Sequence, residues 1–217
     1  MLFSGGLDSA VLLARARTGS GIVQPLYVGT GLAWERAELA IVDRLLQAEA
    51  FRGVAPLVQL RFDVRDIYPP THWAIRGEAP GFDTADDDVY LEGRNIALLS
   101  KASIYMARAG LTRVFIGPLA GNPFPDATPA FFEQMGAALS AGLARPIAIE
   151  APFLKLHKAE VIALGASLGV PLEHTLSCLQ PVDGIHCGRC SKCRERRDAF
   201  REAGIADPTR YAQPPLR

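Results

Sequence analysis

Short apolar runs alternate with helix-periodic stretches along most of this chain, and that alternation constrains the fold more than any other feature. "MLF" (1 to 3) leads into a helical stretch at 8 to 17. "IVQPLYVG" (22 to 29) reads as a buried strand and is followed by an amphipathic helix at 35 to 50. "LVQLRFDV" (57 to 64) alternates at period two. After an irregular stretch dense in Pro, Gly and Asp, a helix at 94 to 110 ends on Gly110 and "RVFIGP" (113 to 118) supplies a strand. Thr128 as N-cap and Pro129 at the first helical position open a helix at 128 to 143; "RPIAIEAP" is another strand, and a helix follows that stops at Gly169. Strands separated by helices need crossover connections, so the expected fold is α/β, a doubly wound, mostly parallel sheet.

The 217 residues suffice for one full core and would be cramped for two. Beyond about Thr175 the alternation ends, so we expect a main domain over 1 to 174 and a small C-terminal segment over 175 to 217. The 23 basic residues balance 23 acidic ones, which leaves no global field to recruit nucleic acid or a membrane surface. Apolar runs are broken by Arg, Asp or Glu well short of the roughly 20 residues a bilayer requires. "MLFSGG" lacks the basic and apolar regions of a secretion signal, so the expected location is the cytoplasm.

The turn after the first run is "SGGLDS" (4 to 9). A strand entering paired glycines and then a helix makes an anion cradle, because the backbone can approach a phosphate and the first-turn N–H groups point at it. Ser4 and Ser9 add hydroxyls. Asp8 is out of place in a phosphate cradle unless it caps the helix or reaches a bridging metal ion. The spacing fits neither the Walker loop nor the dinucleotide fingerprint, and an ordinary strand-to-helix turn capped by Asp8 is the competing reading.

All four cysteines, Cys178, Cys187, Cys190 and Cys193, fall within one short segment as C-x8-C-x2-C-x2-C. Two-residue gaps let thiolates converge on one ion, and four sulfurs make a closed tetrahedral zinc site with a structural role. An iron–sulfur cluster and free thiols are the alternatives, and His186 could replace one sulfur, although a neighbouring exposed histidine is the plainer reading. Arg189, Lys192, Arg194, Arg196 and Arg197 read as solvated charge around the anionic site rather than a nucleic-acid patch. The run "DTADDDVY" reads as a hydrated loop, and Trp34 and Trp73 either stack on a purine or fill the core.

"SGGLDSA" resembles the pyrophosphate-binding PP-loop of the N-type ATP pyrophosphatases, which cleave ATP between the α and β phosphates. Together with the cysteine spacing, and with "GRN" (93 to 95), "FIG" (115 to 117), "PD" (125 to 126), "KAEVIALG" (158 to 165), "TLSC" (175 to 178) and the closing "CGRCSKCRERRDAF", the chain is similar over nearly its whole length to the 7-cyano-7-deazaguanine synthase (QueC) family. "YVGTGLAWE" departs from that family's usual Tyr-Gly-Gln-(Arg/Lys)-His stretch, keeping only Glu35, and "PLAGNPFPDATP" lacks its usual tyrosine.

The resemblance implies an adenine nucleotide alpha hydrolase-like, Rossmann-like fold and an ATP-dependent ligase that adenylates a deazapurine carboxylate and aminates it with ammonia. It implies ATP, Mg2+ and Zn2+, and a possible homodimer. Ser4, Gly5, Gly6, Leu7, Asp8, Ser9, Asn95 and Gly117 would bind the nucleotide. Asp8, Lys158 and Arg94 would be catalytic, Glu35, Asp126 and Phe131 would bind the acceptor, and the four cysteines would hold zinc. A PP-loop enzyme acting on another carboxylate or thiolating tRNA, and a non-catalytic nucleotide-binding module, are the other readings. The absence of cysteine before position 178 disfavours a thiolating enzyme with its own catalytic thiol.

Overall fold

The computed structural model describes residues 1–19 and 21–214. The elements, in chain order, are α1 (Leu7–Arg17), β1 (Leu26–Gly29), α2 (Glu35–Leu45), β2 (Val58–Arg61), α3 (Trp73–Arg76), α4 (Arg94–Ala109), β3 (Arg113–Phe115), α5 (Pro129–Leu143), β4 (Ala148–Glu150), α6 (Lys158–Ser167) and α7 (Ser191–Glu202). β1 runs parallel to β2, and β3 parallel to β4.

Segment 1–3 joins these pairs. Leu2 bridges Leu26 in parallel, the Phe3 N–H donates to the Leu26 carbonyl at 2.8 Å, and the Leu2 N–H donates to the Phe115 carbonyl at 3.0 Å. Across the sheet the order is therefore β2, β1, segment 1–3, β3, β4.

Side-chain alternation along these strands separates two apolar layers, as the period of two requires. Phe3 and Tyr27 face α1, α2 and α6, in a layer that includes Leu13, Val42 and Ile162. Leu2, Leu26, Val28 and Val114 face α4 and α5 on the other side, with Leu99, Met106 and Phe132. Helices thus cover both faces, as the alternation in sequence predicts. α1 and α5 lie on opposite faces, so the order reverses between segment 1–3 and β3, and a crevice opens beyond their carboxyl ends.

Element ends differ from the sequence reading where packing overrides local preference. The helix expected over 35 to 50 stops at Leu45, and a 3-10 turn at Glu49–Phe51 buries Ala50 and Phe51. The Phe51 ring meets Phe3 at 6.1 Å, a contact that a continued α2 would carry away from the core. The strand expected from 22 begins only at Leu26, after Pro25. Thr128 caps α5 as expected, accepting from the Phe131 N–H at 3.2 Å, and Gly110 ends α4 at φ 71°.

The long irregular stretch is not a featureless loop. It carries α3, and Asp86 in the acidic run pairs with Lys192 at 3.1 Å. The acidic run itself is exposed at Asp83, Asp86, Asp87 and Asp88, as the hydrated-loop reading expects, with a short 3-10 turn at Asp86–Val89. Trp34 and Trp73 stack on each other at 5.7 Å and 13°, in a small apolar cluster with Val64 and Leu91.

The C-terminal segment lies against the main domain: its four cysteines and Phe200 belong to the same apolar cluster as α1 and α6. The Leu176 N–H donates to the Gly5 carbonyl at 2.9 Å, and Gly81 bridges Cys190. Arg196, expected as solvated charge, is fully buried; it donates to Leu172 O at 2.6 Å, Thr209 Oγ1 at 2.6 Å and Thr175 Oγ1 at 2.8 Å. A charge so deep needs hydrogen-bond partners at each nitrogen, and Nε, Nη1 and Nη2 each have one. No helix among the described residues is long and apolar enough to cross a membrane.

Candidate active site and metal centre

The crevice at the sheet's switch point is a cleft with two lobes. One has a volume of about 290 Å³ and the other about 320 Å³, and both are lined by Ser4, Gly6, Asp8, Glu38, Arg94 and Gly117. Segment 4–9 forms its floor. Gly5 sits at φ +76°, and a Cβ there would stand 3.1 Å from Val42 Cγ2, so the turn excludes a side chain twice over. The Gly6 N–H donates to Ser4 Oγ at 3.3 Å, the Ser4 N–H to Ser9 Oγ at 3.4 Å, and Ser9 Oγ to the Gly6 carbonyl at 3.0 Å. No side chain caps the N-terminus of α1, although Asp8 was a candidate for that role. The first-turn amides therefore face the cleft with the helix dipole behind them.

Lys158, at the first position of α6, overhangs this turn. Its Nζ lies 3.3 Å from Asp8 Oδ2 and also pairs with Glu195. Glu195 in turn pairs with Lys192 at 2.6 Å, and Lys192 with Asp86 at 3.1 Å. Burial by itself would raise the Glu195 pKa, but Lys158 and Lys192 outweigh it and bring it down to about 2. Burial would likewise lower Lys158, and Asp8 and Glu195 raise it above the usual lysine value. Asp8 is shifted upward by burial, against the pull of Lys158. Its second oxygen, Oδ1, is shielded from solvent and has no hydrogen-bond partner.

The other lobe is lined by Tyr27, Glu35, Tyr90, Asn95 and Asp126 besides the shared residues, to which Phe124 also belongs. Asp126 does not cap the turn at Thr128. It accepts from the Asn95 N–H at 3.1 Å and the Asn95 amide at 3.2 Å, which fixes α4 against the loop before α5, and burial raises its pKa. Glu35 Oε1 accepts from the Gly31 N–H at 2.7 Å, from the Thr30 N–H and from Thr30 Oγ1 at 3.2 Å, so it holds the loop after β1. Tyr90 and Phe124 stack at 5.0 Å. Arg94 lines both lobes; its Nε is buried without a hydrogen-bond partner, in place of the surface ion pair that a helix-start arginine often makes.

Sequence reasoning missed Glu38, which also lines both lobes. Tyr27 Oη donates to Glu38 Oε2 at 2.8 Å. Burial pushes the Glu38 carboxyl up to about 7, with Arg94 and the Tyr27 hydrogen bond working against burial and Glu35 working with it. Its spacing three residues after Glu35 puts both carboxylates on one helix face, and that signal was readable. Lys192 and Glu195 were also missed as cleft residues. Of the residues assigned from resemblance, Ser4, Gly6, Leu7, Asp8, Ser9, Glu35, Arg94, Asn95, Gly117, Asp126 and Lys158 line the cleft. Gly5 lies beneath the floor. Phe131 is not brought to the cleft and packs edge-on against Phe132 at 5.5 Å on α5.

The four cysteine sulfurs lie within 4.8 Å of one another in a buried cluster. Four sulfurs each about 2.3 Å from a single ion would stand about 3.8 Å apart. The spacings of 3.5 Å for Cys190 to Cys193, 3.9 Å for Cys178 to Cys190 and 3.9 Å for Cys187 to Cys193 fit a metal ion. Backbone N–H groups of Gln180 and Cys187 point at Cys178 Sγ, each at 3.3 Å, as thiolate charge requires. His186 is neither exposed nor part of this group. It is buried, its Nε2 accepts from the Ser177 N–H at 3.0 Å, and burial lowers its pKa to about 3.

A doubly wound α/β fold with a glycine turn at its switch point and four converging cysteine sulfurs that could hold a metal ion on its flank is the architecture of a nucleotide-using class of enzyme. A family model described as queuosine biosynthesis protein QueC matches residues 1–204. Curated relatives named 7-cyano-7-deazaguanine synthase cover nearly the whole chain. One from Methanothrix thermoacetophila is 36% identical over 97% of this chain and 96% of its own. One from Anaeromyxobacter dehalogenans is 36% identical over 98% and 95%, and one from Azoarcus sp. is 38% identical over 97% and 95%. The chain belongs to the QueC family of queuosine biosynthesis enzymes.

Proposed function

We propose that this chain is an ATP-dependent ligase that adenylates 7-carboxy-7-deazaguanine and aminates it with ammonia, giving 7-cyano-7-deazaguanine or its amide. The observation that carries this reading is the uncapped N-terminus of α1 under Lys158, with an unpartnered Asp8 oxygen beside it. That combination suits a phosphate chain plus a divalent cation and little else. Mg2+ held by Asp8 would supply charge neutralisation for the pyrophosphate.

A carboxylate resists ammonia because an oxide would have to leave. Transfer of AMP to its oxygen turns that oxygen into a good leaving group, and catalysis is then a matter of positioning and charge. The first-turn amides of α1, Ser4 and Ser9 hold the phosphates, while Lys158 and Lys192 neutralise charge as pyrophosphate departs. The acceptor lies in the other lobe, its planar ring against the Tyr90–Phe124 pair and its carboxylate toward Arg94, whose buried Nε lacks a partner. A second adenylation on the amide oxygen would allow dehydration to the nitrile.

The cysteine cluster fits a single zinc ion held structurally, since an iron–sulfur cluster would spread the sulfurs around several irons. In this reading residues 1 to 174 form the main domain, and the zinc-pinned segment 175 to 217 adds Lys192 and Glu195 to its cleft, the whole working in the cytoplasm. A homodimer would pair through α5, whose Ala130, Ala137 and Ala138 are exposed.

Incubation with Mg-ATP, ammonium and 7-carboxy-7-deazaguanine should yield AMP, pyrophosphate and a product of the amide or nitrile mass. AMP formation only with some other acid would refute the acceptor. No AMP with any carboxylate would refute the ligase.

A further inference from the structure

We propose that Glu38 is the proton acceptor for the amination step, taking the proton from the nitrogen that attacks the activated carboxylate. This rests on the ligase reading and extends it to a residue that neither the motif nor the resemblance singles out. Placement comes first. Glu38 lines both lobes, so it stands where a nucleotide in one and an acceptor in the other must meet.

The neighbouring carboxylates are otherwise engaged. Glu35 Oε1 takes three hydrogen bonds from the loop at 30–31, and both oxygens of Asp126 accept from Asn95. Asp8 belongs to the phosphate lobe. Glu38 is held from its own side of the cleft, by Tyr27 Oη on β1 and the Trp34 side chain before α2. The charged and titratable groups that face it are Tyr27, Glu35 and Arg94, two that can carry negative charge and one cation. Burial, helped by Glu35, outweighs Arg94 and the hydrogen bonds from Tyr27 and Trp34 and pushes the Glu38 carboxyl up to about 7, where an efficient base at physiological pH belongs.

The step balances as follows. Ammonia attacks the carbonyl carbon of the acyl-adenylate and the C–N bond forms. The C–O bond to AMP breaks, its electron pair leaving on the phosphate oxygen, and one proton passes from nitrogen to the Glu38 carboxylate. Amide, AMP and protonated Glu38 result, and Glu38 returns its proton to water through the cleft. No oxidant or further reactant is needed.

The test separates adenylation from amination. Carboxylate-dependent exchange of labelled pyrophosphate into ATP reports the first, and single-turnover amide formation with ammonium chloride between pH 6 and 9 reports the second. Glu38→Gln should lower amination by ~10²-fold more than it lowers exchange, and abolish the inflection near pH 7. Amination with wild-type rate and pH profile, or exchange falling as far as amination, would overturn the assignment. If Glu38→Gln fails to fold, Glu38→Asp decides, because it must shift the inflection, and an unmoved profile counts against Glu38. A wild-type protein without any exchange would instead bring down the ligase reading, and the inference with it.

Discussion

Two glutamates, one in each lobe of the cleft, shift in opposite directions. In the phosphate lobe Glu195 lies between two lysines, which overcome burial and hold it at about 2. In the acceptor lobe burial wins, so that Glu38 rises to about 7 and Asp126 also rises, because Arg94 is the cation they share and Glu35 adds negative charge. For these two glutamates depth alone does not decide; the two lysines around Glu195 do, whereas Asp8, with Lys158 alone beside it, still follows burial upward.

The supports of the lobes differ as well. The lysine–carboxylate chain depends on α7, whose N-cap is Cys190 and whose first turn carries Lys192 and Cys193. The Asn95–Asp126 lock depends on α4 and the loop before α5. Removing the metal with a chelator, or Cys193→Ser, should therefore have the largest and most one-sided effect. Hydrogen exchange should accelerate in α7 by ~10²-fold or more while α4 keeps its protection, and affinity for Mg-ATP should fall at least about tenfold, ~1.4 kcal/mol. Equal acceleration in both helices would break the comparison.

Glu195→Gln is a milder cut through the same lobe. Lys158 would keep only Asp8 and Lys192 only Asp86, at a cost of about 1–3 kcal/mol in stability, read by urea unfolding. The sign with pH follows from the lowered pKa: Glu195 stabilises above its unfolded value near 4.5 and loses that contribution as pH falls toward 2. The gap between wild type and Glu195→Gln should narrow over that window, and a gap that stays constant would show that the lysines do not set its state.

The effect in the other lobe has the opposite sign. With its pKa raised from 4.5 to about 7, Glu38 favours the folded state below pH 4.5, and that contribution is lost as pH rises to 7. The melting temperature of Glu38→Gln relative to wild type should thus climb between pH 5 and pH 8. A flat difference would place Glu38 in an ordinary solvated setting.

Much of this was legible before any coordinates. Alternation gave the doubly wound sheet, the glycines marked the turn into α1, and the cysteine spacing gave a cluster whose sulfurs do converge. What stayed hidden depends on tertiary placement. Glu38 and Tyr27 meet across β1 and α2, and Glu195 reaches Lys158 from 37 residues away, so no local pattern announces either pair. Phe131 and Phe132 are adjacent in sequence, and only the register of α5 against the sheet tells which ring is buried. Arg196 looks like its charged neighbours in sequence and is set apart only by the carbonyl and hydroxyls that enclose it.

The central claim is that the phosphate chain sits on the open end of α1. A crystal structure with Mg2+ and a non-hydrolysable ATP analogue tests it directly. Phosphate oxygens within hydrogen-bond distance of the first-turn amides of α1, with Lys158 Nζ turned toward them, are what the account predicts. Phosphates lodged anywhere else, with that turn still empty, would contradict it.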